Sequence, residues 1–156
     1  ITGILVAGRS GSALAARIGT MAVNQEIDAL RVMGINPVRY LVAPVVLAMV
    51  LMLPAVTLFA DYAAMLGGAV YCKLELGLSY AAYWQQSTDF ITANDVLQGL
   101  AKSVVFALII ALVGVANGFI VSGGAAGVGR YTTRAVVLSI SYIVLADMLF
   151  SYFLNR

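Results

Sequence analysis

Three long stretches of this chain contain almost no charged residues. Residues 40–72 carry a single charge, Asp61; residues 103–129 carry none; and residues 135–155 carry only Asp147. A helix needs about 20 mostly apolar residues to cross the hydrocarbon core of a bilayer, and each of these stretches is long enough. The sequence therefore predicts an all-α, polytopic integral membrane protein.

Composition leads to the same class of protein. Of the 156 residues, 62% are hydrophobic and 10% are charged, whereas an ordinary soluble domain carries about 25% charged residues. The net charge of +2 gives no electrostatic footprint for nucleic acid. Cys72 is the one cysteine and there is no histidine, so the commonest metal ligands and general base are missing. We expect no catalytic residue, no metal site and no nucleic-acid partner.

The pattern predicts four membrane helices, over residues 1–21, 38–72, 96–119 and 131–154. The second would measure about 50 Å as a straight helix, so it must tilt, bend or project beyond the bilayer, and Pro54 should bend it. The first residues already resemble a helix interior, without the charged region that opens a signal peptide. We expect residues 1–156 to form one transmembrane domain that lacks an N-terminal portion.

A short polar segment follows the first membrane helix. Its apolar residues are spaced by four, three and three positions, which places them on one helical face. They are Val23, Ile27, Leu30 and Met33. The residues on the other sides are Asn24, Gln25, Asp28 and Arg31. Gly34 and Pro37 should end the helix, so we predict an amphipathic helix over residues 22–34 that either lies on the membrane surface or docks on a partner.

Two further connections separate the remaining helices. Residues 76–95 are polar and contain aromatic residues suited to a membrane interface, which are Tyr80, Tyr83 and Trp84. Residues 121–130 are rich in glycine and should form a loop, but they lack the ending of a nucleotide-binding loop. Arginines flank the amphipathic helix and the glycine-rich loop, namely Arg17, Arg31, Arg39, Arg130 and Arg134. The positive-inside rule places these two connections in the cytoplasm and residues 76–95 on the opposite side.

The stretch VAGRSGSALAARIGT, residues 6–20, allows three interpretations. A phosphate loop would need a preceding strand and a lysine at the correct spacing, and a serine nucleophile at Ser10 would need a base that this chain lacks. Small residues repeat every four positions in two rows, which are Gly8, Ser12 and Ala16, and Gly11, Ala15 and Gly19. Such rows allow membrane helices to pack closely, so we predict a packing seam.

Four charged residues of the predicted membrane helices are candidates for a functional or structural role. They are Arg9, Asp61, Lys102 and Asp147. An arginine at the bilayer centre costs about 2.5–3.5 kcal/mol, so Arg9 should face a cavity or a partner, or extend to an interface. Lys102 either extends to the interface or binds a lipid headgroup. Asp61 and Asp147 are interpreted as structural residues, each paired with a cation or backbone amides, or as ion sites.

Several stretches together resemble the MlaE/YrbE-type permease of the phospholipid ABC transporters associated with MCE proteins. They occur in family order over almost the whole chain. They are AGRSGSALAARIGTM (7–21), NQEIDALRVMGINPVRYLVAP (24–44), LP (53–54), ADYAAMLGG (60–68), KSVVFA (102–107), NG (117–118), GVGRYTTRAVV (127–137) and Asp147. The family's N-terminal interfacial helix, its first membrane helix and an acidic LRELGP-like stretch have no counterpart here.

The resemblance implies a permease subunit in the bacterial inner membrane that works as a dimer and moves phospholipid without covalent chemistry. It implies a cytoplasmic ABC ATPase that binds ATP and Mg²⁺, a periplasmic MCE-domain protein, and a small cytoplasmic STAS-domain subunit; the chain itself would hold no cofactor. Residues 22–34 would form the coupling helix that docks on the ATPase. Its contact residues would be Asn24, Gln25, Glu26, Asp28 and Arg31. Candidate lipid-headgroup residues are Arg9 and Lys102.

Two alternatives from other classes remain open at the level of sequence. An ion-coupled secondary transporter or channel would use Asp61 and Asp147 as ion sites, and an intramembrane enzyme would use Ser10. The first would transport along an ion gradient without ATP, and the second would lose its activity when Ser10 is replaced by alanine.

Overall fold

The computed structural model describes residues 1–154, and every regular element in this part of the chain is helical. The α-helices in chain order are α1 (Thr2–Val6), α2 (Ser12–Val23), α3 (Glu26–Val32), α4 (Ala43–Leu76), α5 (Tyr80–Phe90), α6 (Ala93–Phe119) and α7 (Gly124–Leu154). Two π-helical turns precede α2 and α4, the first π turn (Ala7–Gly11) and the second π turn (Val38–Val42).

Three helices in the described part are long and apolar enough to cross a bilayer, which confirms an all-α, polytopic membrane protein. They are Val38–Leu76, Ala93–Phe119 and Gly124–Phe153. The N-terminal segment, predicted as a fourth membrane helix, is helical from Thr2 to Val23 through the first π turn. It packs against α6 and α7, and its crossing of the membrane stays a prediction.

Helix α6 is the centre of the structure, because it packs against α2, α4 and α7. Most of its buried residues are small or polar, and only Ile110 and Val115 are larger apolar residues. The small or polar ones are Ser103, Ala107, Ala111, Gly114, Asn117 and Gly118. Small side chains bring helix backbones close together where lipid offers no hydrophobic driving force for association. The composition of α6 therefore explains why three helices can surround it.

Glycines allow a close contact between α2 and α6. A Cβ atom at Gly118 would lie 2.7 Å from Ile18 Cβ and 3.2 Å from the Ala15 carbonyl oxygen, and one at Gly114 would lie 3.2 Å from the Gly11 carbonyl oxygen. Gly19 faces the connection that follows α6, where a Cβ would lie 2.7 Å from a methyl group of Val121. The row Gly11, Ala15 and Gly19 therefore forms the predicted seam.

In the second predicted row, Gly8 takes no part in a close helix contact. A Cβ at Gly8 would meet no atom within 4 Å, and Gly8 is exposed. The π turn explains part of the difference, because its wider coil changes the angular positions of residues 7–11 relative to an α-helix. The hydroxyl of Ser12 instead donates to the carbonyl oxygens of Gly8 and Arg9, at 2.5 and 2.9 Å.

Helix α4 is largely uncovered by the rest of the chain. Of the 18 most apolar consecutive residues, only 6% are buried, against 33% for the corresponding stretch of α6. Its 34 residues correspond to about 50 Å of helix, more than the roughly 30 Å of a hydrocarbon core. The helix continues through Pro54 without interruption, and the Thr57 hydroxyl donates to the Leu53 carbonyl oxygen at 2.9 Å.

The connection between α4 and α6 differs from the predicted boundaries. Residues 76–95 include helix α5, which Ser79 caps by accepting a hydrogen bond from the Ala82 N–H at 3.2 Å. Helix α6 begins at Ala93 rather than at residue 96. Thr92 and Asp95 form a capping box at this start. Helix α5 folds back onto α4, and the Tyr83 hydroxyl donates to the Met65 carbonyl oxygen at 3.2 Å.

The glycine-rich segment also differs from the prediction, because α7 begins at Gly124 rather than at residue 131. The loop is restricted to residues 120–123, and Gly123 and Gly124 both have positive φ angles, which favour glycine. A Cβ at Gly127 would collide with the carbonyl oxygen of Ser122. The glycines therefore allow a tight turn directly into a helix, and a count of glycines alone overestimated the length of the loop.

We predict that Gly118→Ala destabilises the protein. The added methyl group would press on Ile18 and the α2 backbone, and overpacking of this kind costs about 1–3 kcal/mol. The free energy of unfolding of the full-length protein, measured by SDS titration in mixed micelles, checks this value. Gly99→Ala on the same helix is the matched control, because its Cβ would meet no atom within 4 Å; equal losses for the two variants would contradict the seam.

Candidate functional site

The predicted coupling segment folds as a turn followed by a seven-residue helix, α3. Gln25 adopts a left-handed backbone conformation with φ of 59°, and this breaks the helix between α2 and α3. Gly34 ends α3 with φ of 75°. The N–H groups of Gly34 and Ile35 donate to the carbonyl oxygens of Arg31 and Leu30, both at 3.0 Å, the arrangement of a Schellman motif.

One side chain anchors α3 to the membrane helices. Ile27 is 5% exposed and forms a cluster with Ile18 of α2 and Val115 of α6. Of the other residues predicted on this face, Leu30 is half-buried, whereas Val23 and Met33 are exposed. The predicted face is wrong at these two positions because Gln25 separates Val23 from α3, and because Met33 follows the last helical residue.

The polar residues predicted for the coupling surface are all exposed: Asn24, Gln25, Glu26, Asp28 and Arg31. The Asn24 amide donates to Glu26 at 3.2 Å, and Arg31 donates to Asp28 at 3.0 Å. The acidic residues lie in the first turn and Arg31 in the last, which matches the helix dipole. The exposed side of α3 therefore carries charged side chains that are held by hydrogen bonds to one another.

Lys102 and Asp147 form an ion pair between α6 and α7. The Nζ–Oδ1 distance is 3.1 Å, and the side chains are 25% and 54% exposed. For Asp147 this geometry matches the structural interpretation, in which a cation compensates the carboxylate. Lys102 is directed to a carboxylate of its own chain, so a lipid phosphate would have to share or displace that partner.

Arg9 and Asp61 have no ion-pair or hydrogen-bond partner for their side chains among residues 1–154. Both are exposed on the surface of this chain. Arg9 lies in the first π turn, whose wide coil is often found at functional sites, and Asp61 lies on the uncovered helix α4. Each charge therefore faces a partner, water or lipid outside the described chain.

Sequence reasoning missed a buried hydroxyl on α7. Ser139 is 1% exposed, and its Oγ has no hydrogen-bond partner within the described residues. Two other buried polar residues are satisfied locally: Ser103 donates to the Leu100 carbonyl oxygen and Asn117 to that of Val113. The available signal was the spacing of Ala135, Ser139 and Ile143, four residues apart and all buried. Ser10, the candidate nucleophile, is exposed.

Comparisons with known proteins agree on one family. The family model described as "Permease MlaE" matches residues 1–153, which confirms the predicted resemblance. A probable ABC transporter permease protein of Rickettsia typhi is 36% identical over 156 residues, all of this chain. A probable ABC transporter permease protein of Synechocystis is 40% identical over 152 residues, or 97% of the chain.

A plant relative shows the same level of similarity. The chloroplastic protein TRIGALACTOSYLDIACYLGLYCEROL 1 of Arabidopsis thaliana is 40% identical over 153 residues, or 98% of this chain. The chain spans 60% of the Rickettsia typhi protein, 58% of the Synechocystis protein and 44% of the Arabidopsis protein. It therefore matches only part of each relative.

We predict a measurable coupling energy between Lys102 and Asp147. Lys102→Gln and Asp147→Asn each leave one charge uncompensated. The stability losses of the two single variants should therefore add up to more than the loss of the double variant. A partly exposed pair should give a coupling energy of about 0.5–1 kcal/mol. Unfolding free energies of the two single variants and the double variant provide the double-mutant cycle, and strictly additive losses would mean that the pair contributes nothing.

Proposed function

Because the chain belongs to the MlaE permease family, we propose that it is part of a permease subunit of an ABC transporter that moves phospholipid. A partner ATPase would bind ATP and Mg²⁺, and this chain would perform no covalent chemistry. The observation that carries the proposal is α3, a short helix held by Ile27 with its charged residues exposed. A helix of this kind can receive movement from a soluble partner and pass it to the membrane helices.

The mechanical path runs from α3 into the membrane helices. Ile27 belongs to one buried cluster with Ile18 of α2 and Val115 of α6, and α2 and α6 are joined by their glycine seam. A push on α3 would therefore act on two helices together. In the full transporter, such a movement would change the shape of the cavity that holds the lipid.

The lipid substrate is supported by one relative and by chemistry. The Arabidopsis relative carries the name of a galactolipid, which favours a lipid as the transported substance. A phospholipid needs an apolar path for its tails and polar groups for its phosphate, and apolar helices with few cations meet that requirement. Arg9 and Lys102 are the cations that we propose for the headgroup, with Lys102 alternating between Asp147 and the phosphate.

The uncovered surface of α4 supports further partners within the membrane. An apolar helix that its own chain barely buries needs lipid or protein around it, and we propose a dimer of two permease subunits. On the side of α5 we propose a periplasmic MCE-domain protein that exchanges lipid with the permease. A small cytoplasmic STAS-domain subunit completes the proposed assembly, which would act in the bacterial inner membrane to maintain outer-membrane asymmetry.

The arrangement of the carboxylates gives little support to ion-coupled transport. Asp147 is paired with Lys102, and Asp61 lies on α4 without an ion-pair partner among the described residues. In proteoliposomes, we expect lipid transfer by the complete complex to need ATP and to persist in Asp61→Asn to within about twofold. Transfer driven by a proton or sodium gradient without ATP would support the ion-coupled alternative instead.

We predict that charge reversal on α3 separates the ATPase from the permease. Glu26→Lys and Asp28→Lys should each reduce recovery of the ATPase with the full-length permease by tenfold or more, the equivalent of about 1.4 kcal/mol. Pull-down in mild detergent, with mass spectrometry of the bound proteins and lipids, measures the loss. Asp89→Lys is the matched control, because Asp89 is an exposed acidic residue of α5. Undiminished recovery in both α3 variants would reject the coupling role.

A further inference from the structure

A crevice separates α2 from the beginning of α4, beside α3. Its volume is about 320 Å³. Helix α2 contributes Leu14, Arg17 and Ile18, and the second π turn and α4 contribute Tyr40, Pro44 and Val45. These are the two helices that α3 connects, so the crevice opens on the side of the molecule that the arginine distribution assigns to the cytoplasm.

The crevice combines apolar walls with a cation at its edge. Its polar side chains are Arg17 and Tyr40, both exposed, and its other lining residues are apolar. Neither polar side chain makes a hydrogen bond or ion pair with another residue of the described chain. The acidic residues of α3 do not neutralise Arg17, because Asp28 is paired with Arg31 and Glu26 accepts from Asn24. The guanidinium group is therefore available for an external anion.

We propose that this crevice binds an anionic phospholipid of the cytoplasmic leaflet, as a site separate from any lipid that the protein transports. The phosphate would contact Arg17 and the Tyr40 hydroxyl, and an acyl chain would lie between Leu14, Ile18 and Val45. Basic pockets between membrane helices on the cytoplasmic side are known to bind acidic headgroups. The site depends only on the position of the chain in a membrane and not on the proposed ATPase.

Other occupants match the crevice less well. A free phosphate ion would satisfy Arg17 but would leave the apolar walls uncovered. An apolar protein helix would cover the walls but would bring no negative charge to the guanidinium group. A diacyl phospholipid with a net negative headgroup satisfies both parts of the crevice at the same time.

The lipid would also touch the anchor of α3. Ile18 lines the crevice and is a member of the Ile27 cluster, and Met21 and Leu41 both line the crevice and pack against that cluster. A bound acyl chain would therefore support the residues that hold Ile27. We expect the occupied crevice to stabilise the position of α3 relative to α2 and α4.

Mass spectrometry of the intact full-length protein in a neutral detergent tests the proposal. The protein is titrated with phosphatidylglycerol or phosphatidylcholine of identical acyl chains. We expect a preference for phosphatidylglycerol that Arg17→Gln reduces by about fivefold, since one basic residue near a lipid surface contributes about 1 kcal/mol. Arg17→Lys should retain the preference to within about twofold, because it keeps the charge.

Two further variants separate the occupants. Arg134→Gln removes an exposed arginine from α7 and should leave the preference unchanged, whereas Val45→Phe should weaken both lipids by filling the apolar part. Equal effects of Arg17→Gln and Arg134→Gln would mean that the preference comes from the overall positive charge and not from this crevice, and would overturn the site. Full competition by glycerol phosphate would identify a free-anion site, and insensitivity to both Arg17→Gln and Val45→Phe would mean that protein covers the crevice. Failure of ATPase pull-down would leave all these outcomes unaffected.

Discussion

The close contact between α2 and α6 is the interaction on which the remaining structure depends. Lipid is as apolar as a leucine side chain, so membrane helices associate through tight packing rather than through the hydrophobic effect. Gly11, Gly114 and Gly118 allow the two backbones to approach until a single added methyl group would collide. Ile18 of α2 and Val115 of α6 belong to the same buried cluster as Ile27, so this contact supports the residues among which Ile27 is buried. The position of α3, the proposed coupling helix, thus depends on glycines packed between the N-terminal segment and α6.

The cost of charge in lipid governs the other functional features. Lys102 and Asp147 lie 45 residues apart on the consecutive helices α6 and α7, and their pairing reduces that cost for both side chains. Arg9, Arg17 and Asp61 find no such partner among the described residues. Because an uncompensated charge is expensive where water is scarce, these three positions are where the chain requires water, lipid headgroups or other subunits.

The sequence was sufficient for the helical class, for the seam and for the exposed charges of α3, because each depends on local spacing or composition. It was insufficient where the backbone departs from regular helix. The left-handed conformation of Gln25 removed Val23 from the predicted face, and the π turn at residues 7–11 altered the row that begins at Gly8. The Lys102–Asp147 pair could not be assigned, since 45 residues separate the two positions in the chain and a single sequence does not reveal such contacts. The start of α7 was missed because glycine permits a tight turn as readily as a long loop.

These features together define how a soluble partner could act on the membrane. Ile27 is the buried residue of α3, so a force on the exposed charges reaches the membrane helices through this side chain as well as through the short backbone connections on either side of α3. The glycine seam makes α2 and α6 respond together, whereas α2 and α4 are separated by the crevice at Arg17. The gap between α2 and α4 can therefore change more easily than the contact between α2 and α6. A lipid in that gap would oppose its closure, which makes lipid composition a direct influence on the proposed coupling.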